Sequence, residues 1–266
     1  MSQNVDLRAI AERRVVYRMP GMSEVTVRRD FTYRAADGSA QPLDVYYPPA
    51  PAGPQPAVLV VTGYADAGVH RIFGRYAKDI GSNVSWCELL AASGMIAVTY
   101  VNTDPAADAV AVLEHVIANG APIGIDASRI GVWSSSGNVP NALSLLMRRH
   151  AVVKCAALLY GVMLDLDGSN AVAELAQTIR FVTPAAGRTP ADLPPDLPLC
   201  IARAGRDETP RLNETIDRFV AHALAHNLPM MVLNHHTGPH AFDAVDDSDA
   251  SRDVVRRVLA FLRDRL

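Results

Sequence analysis

The sequence is poor in cysteine and has no excess of positive charge. Its 266 residues include three cysteines, which are far apart and form no CxxC pair: Cys87, Cys155 and Cys200. This number and spacing argue against a disulfide framework and against structural zinc. The formal net charge is −3 and the isoelectric point is about 6.2, whereas proteins that bind nucleic acid electrostatically are usually basic. We therefore expect no nucleic-acid partner.

The sequence also lacks the segments that are typical of membrane, secreted and nucleotide-binding proteins. Its longest uncharged apolar stretch, residues 155–164, is too short to span a bilayer. The N-terminal stretch MSQNVDLRAIAERR has no apolar core of a signal peptide. The sequence contains no GxG and no P-loop, so a dinucleotide fingerprint is absent. These absences predict a globular, cytoplasmic protein that has no membrane partner.

The sequence does contain enough apolar residues for one large core. Hydrophobic residues make up 49% of the chain and charged residues 20%, and we expect a single domain over residues 1–266. An antiparallel hairpin is predicted for residues 23–48, where two β-prone stretches flank the turn Asp37-Gly38. Apolar runs typical of strands buried on both faces of a parallel sheet follow at 57–62, 95–100, 129–133, 153–160, 197–202 and 229–233.

Helical patterns lie between these predicted strands. The stretch 104–117 opens with Asp-Pro, which suits an N-cap and a first helical position. Apolar residues also recur at helical spacing in 138–149, 211–226 and 251–265. The alternation predicts an α/β fold with a mostly parallel central sheet and helices on both faces. Only residues 161–196 lack this rhythm, and we interpret them as a short cap insertion that covers one edge of the sheet.

A serine-rich turn follows the predicted strand RIGVW, at the sheet end where parallel α/β proteins bind ligands. The turn reads Ser134-Ser135-Ser136-Gly137-Asn138 and leads directly into a helix. With Ser136 at its apex, this is a variant of the G-x-S-x-G nucleophile elbow, with Ser134 and Asn138 in place of the glycines. Such a turn lifts the hydroxyl above the sheet at a helix N-terminus, where backbone N–H groups stabilise developing negative charge.

A nucleophilic serine needs a base, and the last two predicted strands supply an acid and a histidine. Asp207 and Glu208 follow the first of these strands, and His235, His236 and His240 follow the second. Serine, acid and histidine thus occur in this chain order at three successive strand ends.

In these motifs the sequence resembles the α/β-hydrolase family, and more narrowly its serine carboxylesterases and dienelactone-hydrolase-like members. The resembling stretches are VLVVTGYAD (58–66), RIGVWSSSGN (129–138), ARAGRDETP (202–210) and GPHAF (238–242). The resemblance implies the α/β-hydrolase fold and hydrolysis of small carboxylic esters through an acyl-enzyme, without a cofactor. It implies Ser136 as nucleophile, His240 as general base and Asp207 as orienting acid. It also implies an oxyanion hole formed by the main-chain N–H groups of Tyr64 and Gly137.

The sequence departs from the family pattern at several positions. Ser134 and Asn138 stand where glycines are usual, and Thr62-Gly63-Tyr64 replaces His-Gly-Gly in the first oxyanion loop. Dienelactone hydrolases proper use a cysteine as nucleophile, where this chain has a serine. Because Asn138 is bulky for its position, we expect looser packing between strand and helix at the elbow.

Several alternatives follow from the same residues. Ser134 is the second candidate nucleophile, and Glu208 is the second candidate acid. His235, His236 and His240 suggest a metal cluster, but no Cys pair or HExxH accompanies them, so we expect no metal. On the same scaffold the chain could be a lactonase, an amidase or a peptidase, or a ligand-binding protein whose serine does not acylate.

The segment 64–86 leaves the predicted oxyanion loop and contains many aromatic residues. Two interpretations stay open for it, substrate recognition above the site and a surface Ω-loop whose aromatics pack locally. On the first interpretation His70, Tyr76 and Trp86 bind substrate, and His235 joins them from the last strand end. The expected partner is a small-molecule ester, and a homodimer is compatible with the sequence.

Overall fold

The protein, seen in a computed structural model that describes residues 7–148 and 150–266, is built around one sheet. Within these ranges the sheet has eight strands in the order β1-β2-β4-β3-β5-β6-β7-β8. The strands are β1 (Thr26–Arg34), β2 (Ala40–Tyr47), β3 (Gln55–Val60), β4 (Ile96–Tyr100), β5 (Ile125–Ser135), β6 (Val153–Leu159), β7 (Leu199–Ala204) and β8 (Met230–His235).

The sheet is mostly parallel, as predicted. Strands β1 and β2 form the predicted antiparallel hairpin, and β2 pairs antiparallel with β4. All other neighbouring strands are parallel. The apolar runs form the central strands because a strand covered on both faces needs apolar side chains at every position.

Helices cover both faces of this sheet. The described helices are α1 (Leu7–Glu12), α2 (Asp66–Phe73), α3 (Gly81–Ala92), α4 (Pro105–Asn119), α5 (Val139–Leu146), α6 (Ala171–Ile179), α7 (Leu212–Ala225), α8 (Phe242–Val245) and α9 (Asp249–Arg265). Helices α4, α5 and α7 bury apolar residues in one core layer, and α3 and α9 do so in the other. The predicted cap of α4 is confirmed, since the Asp104 carboxylate accepts hydrogen bonds from the N–H groups of Ala106 and Ala107. The last residue of the helix predicted at 138–149, Arg149, lies outside the described residues.

The segment 64–86 is not an open loop. It contains α2, a single 3₁₀ turn at Ala77–Asp79 and the first half of α3. The buried carboxylate of Asp66 holds it down by accepting hydrogen bonds from the backbone N–H of Ala77 at 2.6 Å and of Asn102 at 2.8 Å. The segment is therefore not an Ω-loop, although two of its aromatic residues, His70 and Tyr76, do pack against each other.

The insertion at residues 161–196 lies across the middle of the sheet rather than along one edge. The N–H of Val162 donates to the carbonyl of Ser136 at 3.1 Å, and the N–H of Val182 donates to the carbonyl of Gly63 at 2.9 Å. Ser136 and Gly63 follow β5 and β3, the two central strands. Most of its apolar side chains point into the core. This segment therefore forms a short, tightly attached cap over the carboxyl ends of the central strands.

The part of the chain that the structure describes contains no helix long and apolar enough to cross a membrane.

Candidate active site

Ser136 lies at the apex of the turn between β5 and α5. The strand runs to Ser135, a single 3₁₀ turn follows at Ser136–Asn138, and α5 then begins. Ser136 has a φ of +55°, in the left-handed region that residues other than glycine rarely adopt. This backbone is the sharp strand-to-helix turn expected of a nucleophile elbow.

Ser134 lies in strand β5, before the turn, where it pairs with Leu158 of β6. Its side chain is buried, and its hydroxyl donates to the carbonyl of Val61 at 3.0 Å. A hydroxyl committed to this bond inside the sheet is not presented to a substrate. The geometry does not support Ser134 as the nucleophile.

The loops that carry the predicted acid and base are tied together by two backbone hydrogen bonds. The N–H of Gly205 donates to the carbonyl of His235 at 2.8 Å, and the N–H of Arg206 donates to that of Gly238 at 2.9 Å. Position 205 requires glycine because a Cβ there would lie 2.7 Å from the Cα of His236. The loops after β7 and β8 therefore run side by side.

Ser136, His240 and Asp207 form a continuous hydrogen-bonded chain. The Oγ of Ser136 lies 2.9 Å from Nε2 of His240, and Nδ1 of His240 lies 2.6 Å from Oδ2 of Asp207. The Asp207 side chain is fully buried, whereas 33% of the His240 side chain is exposed. A serine, a base and an acid in this geometry can activate a hydroxyl for attack on a carbonyl.

The surroundings of Asp207 keep its carboxylate ionised. Burial raises its pKa, whereas the hydrogen bond from His240 and the charge of that residue lower it. The N–H of Thr209 also donates to Oδ1 of Asp207 at 2.9 Å and lowers the pKa further. The net result is a pKa below the ordinary value for aspartate. Glu208, the alternative acid, is exposed to solvent.

The predicted oxyanion loop lies directly against the elbow. A Cβ at Gly63 would lie 2.8 Å from both the Cα of Asn138 and the carbonyl oxygen of Gly137. The N–H of Gly63 donates to Oδ1 of Asn138 at 2.7 Å. The loop after β3 therefore packs closely against the elbow, because Gly63 has no side chain and lets the two backbones approach. The looser packing expected between strand and helix stays a prediction.

The two predicted oxyanion residues are neighbours. Among the described residues, the N–H of Tyr64 has no protein acceptor, while its carbonyl accepts from Nδ2 of Asn102 at 3.0 Å. The Tyr64 side chain lies over Gly137 and contacts Phe181 of the cap edge-on, with ring centroids 6.2 Å apart. Burial raises the pKa of the Tyr64 hydroxyl to about 12, so it is neutral at physiological pH.

Comparison with known proteins adds to this geometry. No protein-family model matches the sequence, and no curated protein matches it significantly. Among solved structures, a bacterial heroin esterase superposes with a TM-score of 0.71 at 16% identity, covering 92% of this chain and 86% of that one. The esterase Est22 gives 0.70 at 16% identity over 91% and 82% of the two chains. A thermostable esterase from Pseudomonas putida ECU1011 gives 0.69 at 16% identity over 92% and 84%.

These likenesses cover nearly the whole chain and agree with the mostly parallel sheet that helices cover on both faces. The protein has the α/β-hydrolase fold. At 16% identity the likeness establishes the fold and no more, and the narrower resemblance to dienelactone hydrolases stays a prediction.

Three residues behind His240 form a connected group that the sequence did not predict: Tyr160, Asp243 and Trp86. The Tyr160 ring packs edge-on against the His240 ring, with centroids 5.0 Å apart. The carboxylate of Asp243 accepts hydrogen bonds from the Tyr160 hydroxyl at 2.8 Å and from Nε1 of Trp86 at 2.7 Å. Burial raises the pKa of Asp243 above its ordinary value, against the opposing effect of these two bonds. Tyr160 directly follows β6, so its position at a strand end was the one available indication.

The prediction that Trp86 binds substrate is wrong. Trp86 belongs to α3 and is fully buried, with its ring 4.8 Å from that of Trp133. Its indole nitrogen is bonded to Asp243. The residue supports the wall behind the site and is not accessible to a ligand.

The prediction that His235 binds substrate is wrong as well. His235 ends β8 and is buried, with Nε2 2.9 Å from the Ser251 hydroxyl and 3.2 Å from the Asp246 carboxylate. Its ring packs against Phe242, with centroids 5.0 Å apart. His235 therefore underlies the loop that carries His240 and does not face the substrate.

His70 and Tyr76 lie on the surface of the segment 64–86. Their rings contact each other, with centroids 4.9 Å apart, and both side chains are exposed to solvent. A role for this pair in substrate recognition stays a prediction. Within residues 7–148 and 150–266, no three His, Cys, Asp or Glu side chains form a group that could hold a metal ion.

Proposed function

We propose that the protein is a serine hydrolase that cleaves small carboxylic esters through an acyl-enzyme. The observation that carries the proposal is the chain of hydrogen bonds from Ser136 through His240 to Asp207, at 2.9 Å and 2.6 Å. Ester hydrolysis is also the reaction named for the solved structures that share this fold.

The first half of the reaction forms the acyl-enzyme. The Oγ of Ser136 attacks the ester carbonyl carbon while Nε2 of His240 takes the hydroxyl proton. The buried carboxylate of Asp207 holds the imidazole in the tautomer that has its proton on Nδ1 and stabilises the imidazolium. The C–O bond of the ester then breaks, and the alcohol leaves with the proton from Nε2.

The second half repeats these steps with water. His240 takes a proton from water, the resulting hydroxide attacks the acyl carbon, and Ser136 leaves with the proton from the imidazolium. In both halves the tetrahedral intermediate carries a negative oxygen. The N–H groups of Tyr64 and Gly137 would donate hydrogen bonds to that oxygen, and such preorganised donors are worth about 10²–10³ in kcat each.

The site favours small substrates. One third of the His240 side chain is exposed, so the triad opens directly to solvent. The cap buries Val162, Met163 and Leu164 in the protein core. Little apolar wall is therefore left to cover a long acyl chain.

Labelling with a fluorophosphonate probe tests the proposal. Mass mapping of wild-type protein should find one label per chain, on Ser136. Ser136→Ala should take up no label and lose on the order of 10⁶ in kcat on p-nitrophenyl acetate. The matched control Ser134→Ala removes a neighbouring hydroxyl that is bonded inside the sheet, and should label like wild type. Wild-type protein that takes up no label would instead indicate a ligand-binding protein, and a label on another residue would refute the triad.

A further inference from the structure

Asn138 departs from the family pattern, and its side chain makes a bond that a glycine there could not make. Its Oδ1 accepts a hydrogen bond from the N–H of Gly63 at 2.7 Å, across 75 residues of sequence. Asn138 is the second residue after Ser136, so the turn that presents the nucleophile also carries this carboxamide. The bond therefore joins the nucleophile elbow to the loop that holds the N–H of Tyr64.

Gly63 is the residue of this loop with the greatest conformational freedom. A glycine has few steric limits on its φ and ψ angles, and here no other residue fits, because a Cβ would lie 2.8 Å from the elbow backbone. Left unrestrained, the peptide between residues 63 and 64 could rotate and turn the N–H of Tyr64 away from the site. Rotation of that N–H would remove one oxyanion donor.

Two hydrogen bonds restrain the peptide planes on either side of the Gly63 Cα. Asn138 holds the preceding peptide through the N–H of Gly63, and Val182 of the cap holds the following peptide through the carbonyl of Gly63 at 2.9 Å. Since a trans peptide is planar, its C=O and N–H point in opposite directions. Fixing the carbonyl of Gly63 thus fixes the direction of the N–H of Tyr64.

Two further asparagines hold the same loop, and Asn141 acts on the same peptide as Asn138, because the carbonyl of Thr62 and the N–H of Gly63 belong to one peptide plane. Nδ2 of Asn141 donates to the carbonyl of Thr62 at 2.7 Å, and Nδ2 of Asn102 donates to the carbonyl of Tyr64 at 3.0 Å. Among the described residues the N–H of Tyr64 has no protein acceptor. It is therefore free to donate to a substrate oxygen.

We propose that Asn138 is a positioning residue of the oxyanion hole. Its carboxamide sets the distance between the donor loop and the serine by holding the peptide that precedes Gly63. Together with the Val182 bond on the following peptide, it keeps the N–H of Tyr64 facing the reacting carbonyl. The proposal rests on the proposed function, because it assigns a role within the same reaction. It also gives a chemical reason for an asparagine at this position of the elbow.

The test compares Asn138→Ala with a matched control. Asn83→Ala also removes one partly buried asparagine bond, from Nδ2 to the carbonyl of Ala77 at 2.7 Å, in helix α3. Both variants should lose a few degrees in Tm. Only Asn138→Ala should lose about tenfold or more in kcat on p-nitrophenyl acetate, with KM within about twofold of wild type, the pattern of a contact made mainly in the transition state.

A second measurement reports on the oxyanion directly. A trifluoromethyl ketone adds to the serine and forms a tetrahedral oxyanion, so its inhibition constant should rise in Asn138→Ala by the same factor by which kcat/KM falls. Asn138→Gly, which installs the residue usual in the elbow, should show the same losses and serves if the alanine variant does not fold.

The outcomes separate this inference from the proposed function. If wild-type protein takes up no fluorophosphonate on Ser136, the proposed function fails. If wild type is labelled and turns over ester, but both Asn138 variants keep wild-type kcat and ketone affinity, only the role of Asn138 is refuted. A loss of kcat that is equally large in Asn83→Ala would also refute it, because the effect would then follow stability and not the oxyanion loop.

Discussion

Adding one methyl group at Gly137 tests how closely the oxyanion residues are packed. A Cβ at this position would lie 2.9 Å from Cδ1 of Phe181 and 3.0 Å from Cζ of Tyr64, and closer still to the Tyr64 hydroxyl oxygen. Real Cβ contacts under 3.0 Å are essentially never seen, so the Tyr64 ring or the elbow must move. Overpacking of this kind costs about 1–3 kcal/mol.

The displacement should reach the reaction as well as the fold. Gly137 carries one proposed oxyanion donor and Tyr64 carries the other, and complete loss of one donor costs about 10²–10³ in kcat. We expect Gly137→Ala to lose at least about tenfold in kcat on p-nitrophenyl acetate, because both donors are shifted but not removed. The matched control is Gly68→Ala in α2, where a Cβ would meet nothing within 4 Å. It should keep wild-type activity, with a Tm equal to or slightly above that of wild type, because alanine favours a helix more than glycine does.

Tyr64→Phe makes this prediction sharper. Among the described residues the Tyr64 hydroxyl has no hydrogen-bond partner, so its removal alone should change kcat by no more than about twofold. In Gly137→Ala the same change removes the atom that the new methyl group meets first. The double variant should therefore recover part of the lost kcat and Tm, with a coupling energy of about 0.5–3 kcal/mol.

Two results would refute this reasoning. Wild-type activity and Tm in Gly137→Ala, with no coupling to Tyr64→Phe, would mean that Tyr64 does not lie over the elbow. A loss of about 10²–10³ in kcat for Tyr64→Phe alone would mean that the hydroxyl, and not the backbone N–H, donates to the oxyanion.

Three further predictions follow from the same geometry. Asp207→Asn should lower kcat by about 10⁴ and lower the free energy of unfolding at pH 7. The pKa of Asp207 is lowered in the folded protein, so its ionised form stabilises the fold above the unfolded pKa of about 3.9. The stability difference between wild type and Asp207→Asn should therefore shrink as pH falls below that value. A difference that is independent of pH would contradict this. Trp86→Phe leaves the buried carboxylate of Asp243 with one hydrogen-bond donor fewer. It should lower the free energy of unfolding by about 1.5–3 kcal/mol and leave KM unchanged. A large rise in KM with unchanged Tm would instead indicate that Trp86 contacts the substrate. Across p-nitrophenyl esters from C2 to C16, kcat/KM should rise to about C4–C6 and then fall, because each further CH₂ gains its ~0.8 kcal/mol only where apolar wall covers it; a maximum at C12 or longer would show that the cap acts as a lipase lid.

The sequence allowed the strands to be predicted, and also the grouping of Ser136, His240 and Asp207 at the strand ends, because both depend on local patterns. Buried parallel strands appear as short apolar runs, and the active residues of such a sheet follow those runs. Helix α3 has no comparable pattern. Its residues at 85–87 and 89–91 are buried in succession, so it shows no apolar stripe, and a helix that is apolar all round has no periodicity to detect. Without such a pattern, nothing local in the sequence distinguishes the buried Trp86 from a loop residue that contacts a ligand.

The error at His235 has a different origin. The apolar run of β8 ends at Leu233, but the strand continues for two polar residues to His235. Residues two apart in a strand point to the same face, and Leu233 and His235 are both buried. Extending the alternation past the apolar run would have placed the histidine in the core. Because Asn234 and His235 are polar, they look like loop residues, although the alternating burial of the strand continues through them.

The contact between Gly63 and Asn138 lies beyond any local pattern, and it changes how the departure at the elbow is interpreted. The G-x-S-x-G motif records a geometric need, since two backbones must approach closely around the serine. Glycine at the second position after the serine is one way to meet that need. In this chain a Cβ on Gly63, not on residue 138, would obstruct the approach. Because Gly63 in the opposing loop leaves space, the elbow can carry the polar side chain of Asn138. That side chain in turn accepts a hydrogen bond from the N–H of Gly63.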